Sequence, residues 1–73
     1  MDYTSRIVVD REVRFGKPIV KGTRICVADV LGFLAAGDTE AGIVAEFPQL
    51  TIEDVRACLA FAADRERYTR IAG

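Results

Sequence analysis

The chain has 73 residues, of which 51% are hydrophobic, and it carries 10 basic and 11 acidic side chains but no histidine. This apolar fraction excludes a disordered chain and predicts one small folded domain over residues 1–73. Because the two cysteines lack CxxC spacing and histidine is absent, a zinc site and a thioredoxin-like motif are excluded, and no metal or cofactor is expected.

The N-terminal third predicts short extended elements. The β-branched run IVV at residues 7–9 is typical of a strand. A second extended stretch is expected over residues 13–15. The following segment, GKPIVKGTRICV at residues 16–27, contains Pro18, which fixes its own φ, and Gly22, which can supply the positive φ of a tight turn. It predicts a small β-hairpin that projects the cations Lys17, Lys21 and Arg24.

Two helices are expected next. A helical period begins at Val27, since apolar residues follow at three, four and seven positions further on, and Gly37 stands where a helix C-cap is expected. Asp38 and Thr39 provide N-cap chemistry for a short second helix, which Pro48 ends.

The third helix has the clearest start signal. Thr51 and Asp54 have the spacing of a capping box, and Leu50 and Val55 are placed as a hydrophobic staple. We expect this helix to continue to about Arg67. Its core-facing stripe is predicted to contain Ile52, Val55, Leu59 and Ala62.

Charge is segregated along the chain. Residues 1–24, which we call the basic arm, carry six cations against three anions. Residues 25–55 carry six anions and no Lys or Arg, whereas residues 56–73 carry four arginines against two anions. The chain therefore has a basic arm, an acidic middle and a mixed basic tail.

The helix spacing allows a helix-turn-helix interpretation, with FPQLT as the connection between the second and third helices. However, the first turn of the third helix presents Glu53 and Asp54, which would repel DNA phosphates. A plain helical core is therefore favoured over major-groove recognition. The basic arm is the better candidate for DNA or an acidic partner, although a solvated hairpin face would look similar. The candidate contacts for DNA or a partner are Arg11, Arg14, Lys17, Lys21, Arg24 and Arg56.

Catalysis is not expected. The pair Gly16-Lys17 fails as a phosphate-binding loop, because Arg11 stands where a P-loop has glycine and Pro18 stands where it has Ser or Thr. Without histidine, the cysteine and hydroxyl side chains have no conventional base.

The N-terminus lacks the features of a signal peptide, and no stretch approaches the roughly 18 apolar residues of a membrane span. We therefore expect a cytoplasmic protein without membrane association. Because disulfides are rare in that compartment, Cys26 and Cys58 are expected to be buried free thiols. A core of this size rarely contributes more than about 3–5 kcal/mol, which favours self-association or a partner.

Three motifs in order, GKPIVKGTRICV, LGFLAAG and IVAEFPQLTIEDVRACLAFAA, resemble the domain-of-unknown-function 433 family over about residues 6–63. The resemblance implies a mainly α fold: a three-helix, homeodomain-like bundle preceded by short strands. It also implies the antitoxin half of a type II toxin-antitoxin pair, often encoded beside a PIN-like ribonuclease toxin. The chain departs from the family at Cys26, where proline is common, and in the second helix, where Ala41, Gly42 and Ala45 stand in a region usually rich in Glu.

The leading hypothesis is therefore a homodimeric cytoplasmic antitoxin that binds a toxin and represses its own operon. One alternative is a stand-alone DNA-binding regulator. Another is a protein-interaction module without a DNA role, in which the exposed hairpin edge pairs with another strand. The candidate toxin contacts are Asp38, Glu40 and Glu46.

Overall fold

The computed structural model describes residues 1–68, in which two short strands precede three helices. The elements are β1 (Ile7–Val9), β2 (Pro18–Val20), α1 (Val27–Ala35), α2 (Glu40–Glu46) and α3 (Ile52–Arg67). This mainly helical arrangement with an N-terminal antiparallel strand pair confirms the predicted fold class. Among the described residues, no helix has the length and apolar character needed to cross a bilayer.

β1 lies where it is predicted and β2 falls within the hairpin predicted at residues 16–27, but the extended stretch predicted at residues 13–15 does not form. β1 pairs antiparallel with β2 in the register Ile7 to Val20 and Val9 to Pro18. The prediction of an extended stretch at residues 13–15 is wrong, since residues 14–16 form a single turn of 3-10 helix with positive φ at Arg14 and Phe15. Alternating valine and aromatic residues favour a strand locally, but the link between β1 and β2 must turn there for the strands to pair.

The segment at residues 16–27 reverses at Gly22, as predicted. Gly22 has φ +81°, and the Thr23 N–H donates to the Val20 carbonyl at 3.0 Å. Ile19 and Cys26 then form a single antiparallel bridge across this turn. The hairpin inside the segment is therefore short, and the main partner of β2 is β1.

The first two helices begin and end as the sequence predicts. Gly37, with φ +103°, follows α1 and donates its N–H to the Leu34 carbonyl, while the Asp38 N–H donates to the Phe33 carbonyl. These two bonds form a Schellman motif. At the start of α2, the Thr39 hydroxyl accepts from the Gly42 N–H at 3.0 Å.

The predicted capping box opens α3. The Thr51 N–H donates to the Asp54 carboxylate at 2.9 Å, and the Asp54 N–H donates to the Thr51 hydroxyl at 3.2 Å. The helix ends at Arg67, as expected. Of the mixed basic tail, Arg70 lies outside the described residues.

The β1–β2 strand pair and all three helices share one core. Phe33 and Phe47 stack at 5.2 Å beside it, and Tyr3 packs edge-on against Phe61 at 5.5 Å. Both cysteines are buried and free, which confirms the prediction for them. The buried apolar residues of the core cluster are Ile7, Val20, Val27, Val30, Ile43, Leu50, Val55, Ala57 and Cys58.

One position of the predicted α3 stripe is wrong. Leu59 is 44% exposed, whereas Ala57 and Cys58 are fully buried. The buried face is rotated toward these two small side chains because they allow the other elements to approach the α3 backbone closely. Val55 keeps its predicted place, with no exposed surface.

Candidate partner-binding surfaces

The connection between β1 and β2, which we call the β1–β2 loop (residues 10–17), has an unusual backbone. Three consecutive residues have positive φ: Arg14 at 51°, Phe15 at 59° and Gly16 at 78°. Only the glycine adopts this region without a Cβ penalty. Each of the other two costs on the order of 1–3 kcal/mol, and strain of this kind persists where surrounding contacts hold the chain.

Side chains fix this loop in place. The Asp10 carboxylate accepts from the Glu12 N–H at 2.9 Å. Arg14 Nη1 donates to the Arg24 carbonyl at 2.9 Å and to the Asp29 carboxylate at 3.2 Å. The same carboxylate accepts from the Cys26 N–H at 3.0 Å. Arg14 therefore ties the loop to the first turn of α1.

The consequence of this geometry is an aromatic ring in solvent. Phe15 is 97% exposed, although burial of a Phe side chain is favourable by about 1.5–3 kcal/mol. A strained backbone that is held rigid and displays an apolar ring has the features of a binding element. Phe15 was not predicted as a contact residue, and its only sequence signal is an aromatic residue directly before glycine.

A groove lies beside this loop, between the N-terminal part of α1 and the C-terminal half of α3. It encloses about 310 Å³, and Val27, Leu31 and Phe61 form part of its apolar wall. Lys17 and Arg65 also line it, and the Arg65 guanidinium carbon lies 5.5 Å from the centre of the Phe61 ring. The groove is therefore apolar with cations at its edge.

The structure divides the predicted cationic contacts into two groups. Arg14 is paired with Asp29, and Arg56 is paired with Glu40 at 3.0 Å, which raises the pKa of the Arg56 guanidinium. The remaining four are exposed and have no ion-pair partner among residues 1–68. These four exposed cations, which we call the cationic set, are Arg11, Lys17, Lys21 and Arg24.

Arg6, the sixth cation of the basic arm, has a structural role. Its Nη1 donates to the Asp54 carboxylate at 3.0 Å. Asp54 is only 8% exposed, so it is unavailable to repel DNA phosphates as the sequence analysis supposed. This ion pair joins the residue that precedes β1 to the capping box of α3.

Of the predicted acidic contacts, Glu40 and Glu46 are the first and last residues of α2, and Asp38 lies just before its N-cap. Asp38 and Glu46 are exposed and have no ion-pair partner in the described part of the chain, whereas Glu40 is held by Arg56. Glu53, which was not predicted as a contact, lies close enough to Arg56 to raise its pKa further. We call Asp38, Glu40, Glu46 and Glu53 the acidic set.

The Cys58 thiol is poorly suited to act as a nucleophile. Burial, followed by the negative charge of Asp54, raises the pKa of the Cys58 thiol to about 11. The reactive thiolate is therefore scarce at neutral pH. Within residues 1–68, no cluster of cysteine or carboxylate side chains is arranged to hold a metal ion.

These observations define a class of protein: a three-helix fold with an N-terminal strand pair and an exposed loop that side-chain hydrogen bonds hold in place. The profile of the family described as Protein of unknown function (DUF433) matches residues 7–62. The chain belongs to this family, in agreement with the resemblance found in its motifs.

A solved structure supports the fold. The crystal structure of a DUF433 member protein from Anabaena variabilis superposes with a TM-score of 0.81 at 23% sequence identity. The match covers 88% of this chain and 63% of that chain, so this chain spans less than two thirds of the length of that relative. No curated protein matches the sequence.

Proposed function

We propose that this protein is the antitoxin half of a type II toxin-antitoxin pair, and that it binds and neutralises a PIN-like ribonuclease. The proposal rests on the family resemblance, and the carboxylates of the acidic set that have no ion-pair partner among residues 1–68 are the observation that supports it in this chain. Asp38 lies just before the N-cap of α2, and Glu46 is the last residue of this helix. Neither carboxylate forms an ion pair with a cation among the described residues. Such carboxylates are free to meet a basic partner.

The chemistry of the partner fits the acidic set. A ribonuclease binds a polyanionic backbone, so it presents cations where the RNA lies. Carboxylates placed against those cations attract the toxin and occupy the surface that RNA needs. The helix that carries Glu40 and Glu46 is held firmly, because Ile43 is buried in the core and Phe47 stacks on Phe33. The ion pair between Glu40 and Arg56 further fixes α2 relative to α3.

The test is co-expression with the product of the neighbouring open reading frame. We expect the wild-type chain to form a complex and to relieve toxicity. The double variant Asp38→Lys, Glu46→Lys should weaken the complex by about 10- to 100-fold, since opposed charges become like charges. Glu66→Lys is the matched control, because Glu66 is exposed near the end of α3, away from α2. Absence of a complex and of any relief of toxicity contradicts the proposal.

A second candidate function is DNA binding, and the cationic set favours it. All four cations come from residues 11–24, and none is neutralised by an ion pair within the described chain. The start of α3 is a weaker candidate for DNA contact, because Arg56 is already paired with Glu40. Promoter binding through the cationic set would serve either autoregulation by an antitoxin or a stand-alone regulator.

Promoter affinity measured against salt concentration tests this function. If the cationic set contacts phosphates, the triple variant Lys17→Ala, Lys21→Ala, Arg24→Ala lowers the salt slope by about 1 for each lost contact. Arg56→Ala is the control and should leave the slope unchanged. An unchanged slope in the triple variant removes the basic arm from DNA binding.

A further inference from the structure

We propose that the β1–β2 loop binds single-stranded nucleic acid, with the Phe15 ring stacked on an unpaired base and neighbouring cations on the phosphates. These cations are Arg11, Lys17 and Arg24, all members of the cationic set. Neither the antitoxin role nor binding to a duplex promoter is required for this contact.

The Phe15 ring is accessible to a ligand on both of its faces, since it is 97% exposed. Its backbone has φ +59°, and the adjacent Arg14 is held by the Arg24 carbonyl and by Asp29. A ring on a backbone fixed in this way loses little conformational entropy when it binds. Aromatic side chains displayed beside cations are the platforms on which proteins stack the bases of single strands.

Three exposed cations lie next to this ring. Lys17 follows it by two positions, and the Arg11 Cα lies 3.9 Å from the point where a Cβ on Gly16 would be. The backbone of Arg24 is held against the same loop, because its carbonyl accepts from Arg14 Nη1 at 2.9 Å. None of the three exposed cations has an ion-pair partner among the described residues. Their charge is therefore available to a polyanionic backbone.

The loop also contains two carboxylates, Asp10 and Glu12. Asp10 accepts from the Glu12 N–H at 2.9 Å and so supports the turn of the loop itself. Residues 10–24 carry five cations against these two anions, and within the described chain only Arg14 of the five is paired with a carboxylate. The local charge is therefore positive, although the whole chain carries −1. Exposed charges more than about 10 Å apart are largely screened at about 0.1 M salt, so the local balance governs binding.

A single ring favours an unpaired base over a duplex. In a duplex the base faces are stacked on one another, and a side chain reaches them only by opening a base step. Opening one step costs about as much free energy as one stacked base returns, so one ring gains little there. The start of α3, which would enter the groove of a duplex in a helix-turn-helix, carries Glu53, and Arg56 behind it is paired with Glu40.

Fluorescence anisotropy with labelled oligonucleotides tests this contact in the full chain. The probes are oligothymidylate and oligouridylate of about 12 nucleotides, which represent DNA and RNA. We expect a dissociation constant below about 100 µM at low salt for at least one of them. Weaker binding to both overturns the proposal. The promoter duplex is measured in parallel, so that promoter binding and single-strand binding can fail independently.

Variants of Phe15 separate stacking from charge. Phe15→Ala should raise the dissociation constant for the single strand at least about 5-fold and leave its salt dependence unchanged, since stacking releases no counterions. Phe15→Tyr keeps an aromatic face and should bind as the wild type does, whereas Phe15→Leu should bind as weakly as Phe15→Ala. Tyr68→Ala removes an exposed aromatic side chain at the end of α3 and is the matched control that should bind normally.

An abasic oligonucleotide of the same length identifies the partner of the ring. The wild type should bind the abasic strand as weakly as Phe15→Ala binds the ordinary strand. Phe15→Ala should bind the two strands equally, because it has no ring with which to stack on a base.

Variants of the charged residues have the complementary effect. The triple variant Arg11→Ala, Lys17→Ala, Arg24→Ala should lower the salt slope by about 0.7 for each lost phosphate contact. Glu12→Gln removes a carboxylate from the loop and should tighten binding about 2- to 3-fold, as expected for unit charges several ångströms apart in water. Weaker binding by Glu12→Gln contradicts a polyanionic ligand.

Three further outcomes overturn the proposal, with thermal unfolding used to check that each variant is folded. One is wild-type affinity in Phe15→Ala, which assigns the ring to a protein contact. Another is an equal loss in Tyr68→Ala, since any exposed ring would then serve. The third is tighter binding to the duplex than to the single strand together with a loss in Phe15→Ala, which indicates insertion of the ring into a duplex step.

Discussion

The start of α3 and the β1–β2 loop are both tight turns held by an arginine–aspartate pair, but they differ in what that pair maintains. At the start of α3, Arg6 binds Asp54, which also caps the helix by accepting from the Thr51 N–H. In the loop, Arg14 binds Asp29 while its own backbone and that of Phe15 lie in the left-handed region. The start of α3 has ordinary backbone geometry, whereas the β1–β2 loop has a strained backbone with positive φ at two non-glycine residues.

This difference distinguishes an element that stabilises the fold from an element with the features of a binding site. At α3, local capping chemistry and tertiary packing favour the same conformation, which is typical of an element that stabilises the fold. In the loop, the tertiary contacts of Arg14 oppose the preference of the Phe15 backbone for negative φ, and the result is an exposed ring. Such a conflict is expected at a site selected for binding.

The largest effect is expected from Asp54→Ala. This change removes a helix cap and leaves the guanidinium of Arg6 without its partner, so the free energy of unfolding should fall by about 2–3 kcal/mol. Urea denaturation measures it. Thr51→Ala removes only one cap bond and should lower the value by about 1 kcal/mol. Equal losses for the two variants would mean that the link to Arg6 contributes nothing.

High pH should also lower the free energy of unfolding, because Cys58 of α3 is buried as a neutral thiol. Its thiol has a pKa of about 11 when folded and about 9.0 when unfolded. Below pH 9 both states keep the proton, and stability is complete. Between pH 9 and 11 only the unfolded state loses its proton, so the free energy of unfolding should fall by about 1–2 kcal/mol.

The matched control for this pH dependence is Cys58→Ala, which lacks the thiol. Tyr3 donates its hydroxyl to Asp64, which raises the pKa of Tyr3 and adds a loss of the same sign at high pH. The contribution of Tyr3 is the same in the wild type and in Cys58→Ala. The difference between their plots of unfolding free energy against pH therefore reports Cys58 alone. Parallel curves across pH 9–11 contradict the prediction.

Phe15→Gly tests the strain in the loop. Both Phe15→Gly and Phe15→Ala remove the ring, but only glycine adopts φ near +59° without a Cβ penalty. The glycine variant should therefore be more stable than the alanine variant by about 1 kcal/mol. Thermal unfolding at low protein concentration measures the difference. Equal stabilities would show that the loop is not strained.

The smallest contrast concerns two helical glycines. Gly32 in α1 has open space where a Cβ would lie, so Gly32→Ala should stabilise the protein by about 1 kcal/mol. At Gly42 in α2, a Cβ would lie 3.1 Å from the Thr39 hydroxyl that caps the helix. Disturbance of this cap should cancel the gain, which leaves Gly42→Ala within about 0.5 kcal/mol of wild type. A full gain at both positions, measured by denaturation, would show that the cap is adaptable.

Much of the fold was predictable because its signals are local. The capping box at Thr51, the glycine after α1 and the β-branched run of β1 each depend on residues a few positions apart. The pairing of β2 with β1 was not predictable in this way. Its pairing depends on β1, and the residues between them form a turn whose positive φ values run against the preferences of Arg14 and Phe15.

The candidate surfaces were predictable only in part. The sequence shows which residues carry charge, but internal pairing determines which charges are available. Arg14 and Arg56 looked equivalent to Lys17 and Arg24, and the structure pairs only the first two with carboxylates. These pairs join residues 15 and 16 positions apart, a separation that no local pattern reports.

By itself, the sequence determined the order and type of the helices, the first strand, the caps and the family, because these follow from short-range periodicity and hydrogen bonding. Only the tertiary structure decided which charges stay exposed, that Leu59 faces solvent and that Phe15 projects from a strained loop beside an apolar groove. These features arise where segments distant in sequence meet, and long-range packing there overrides local preference.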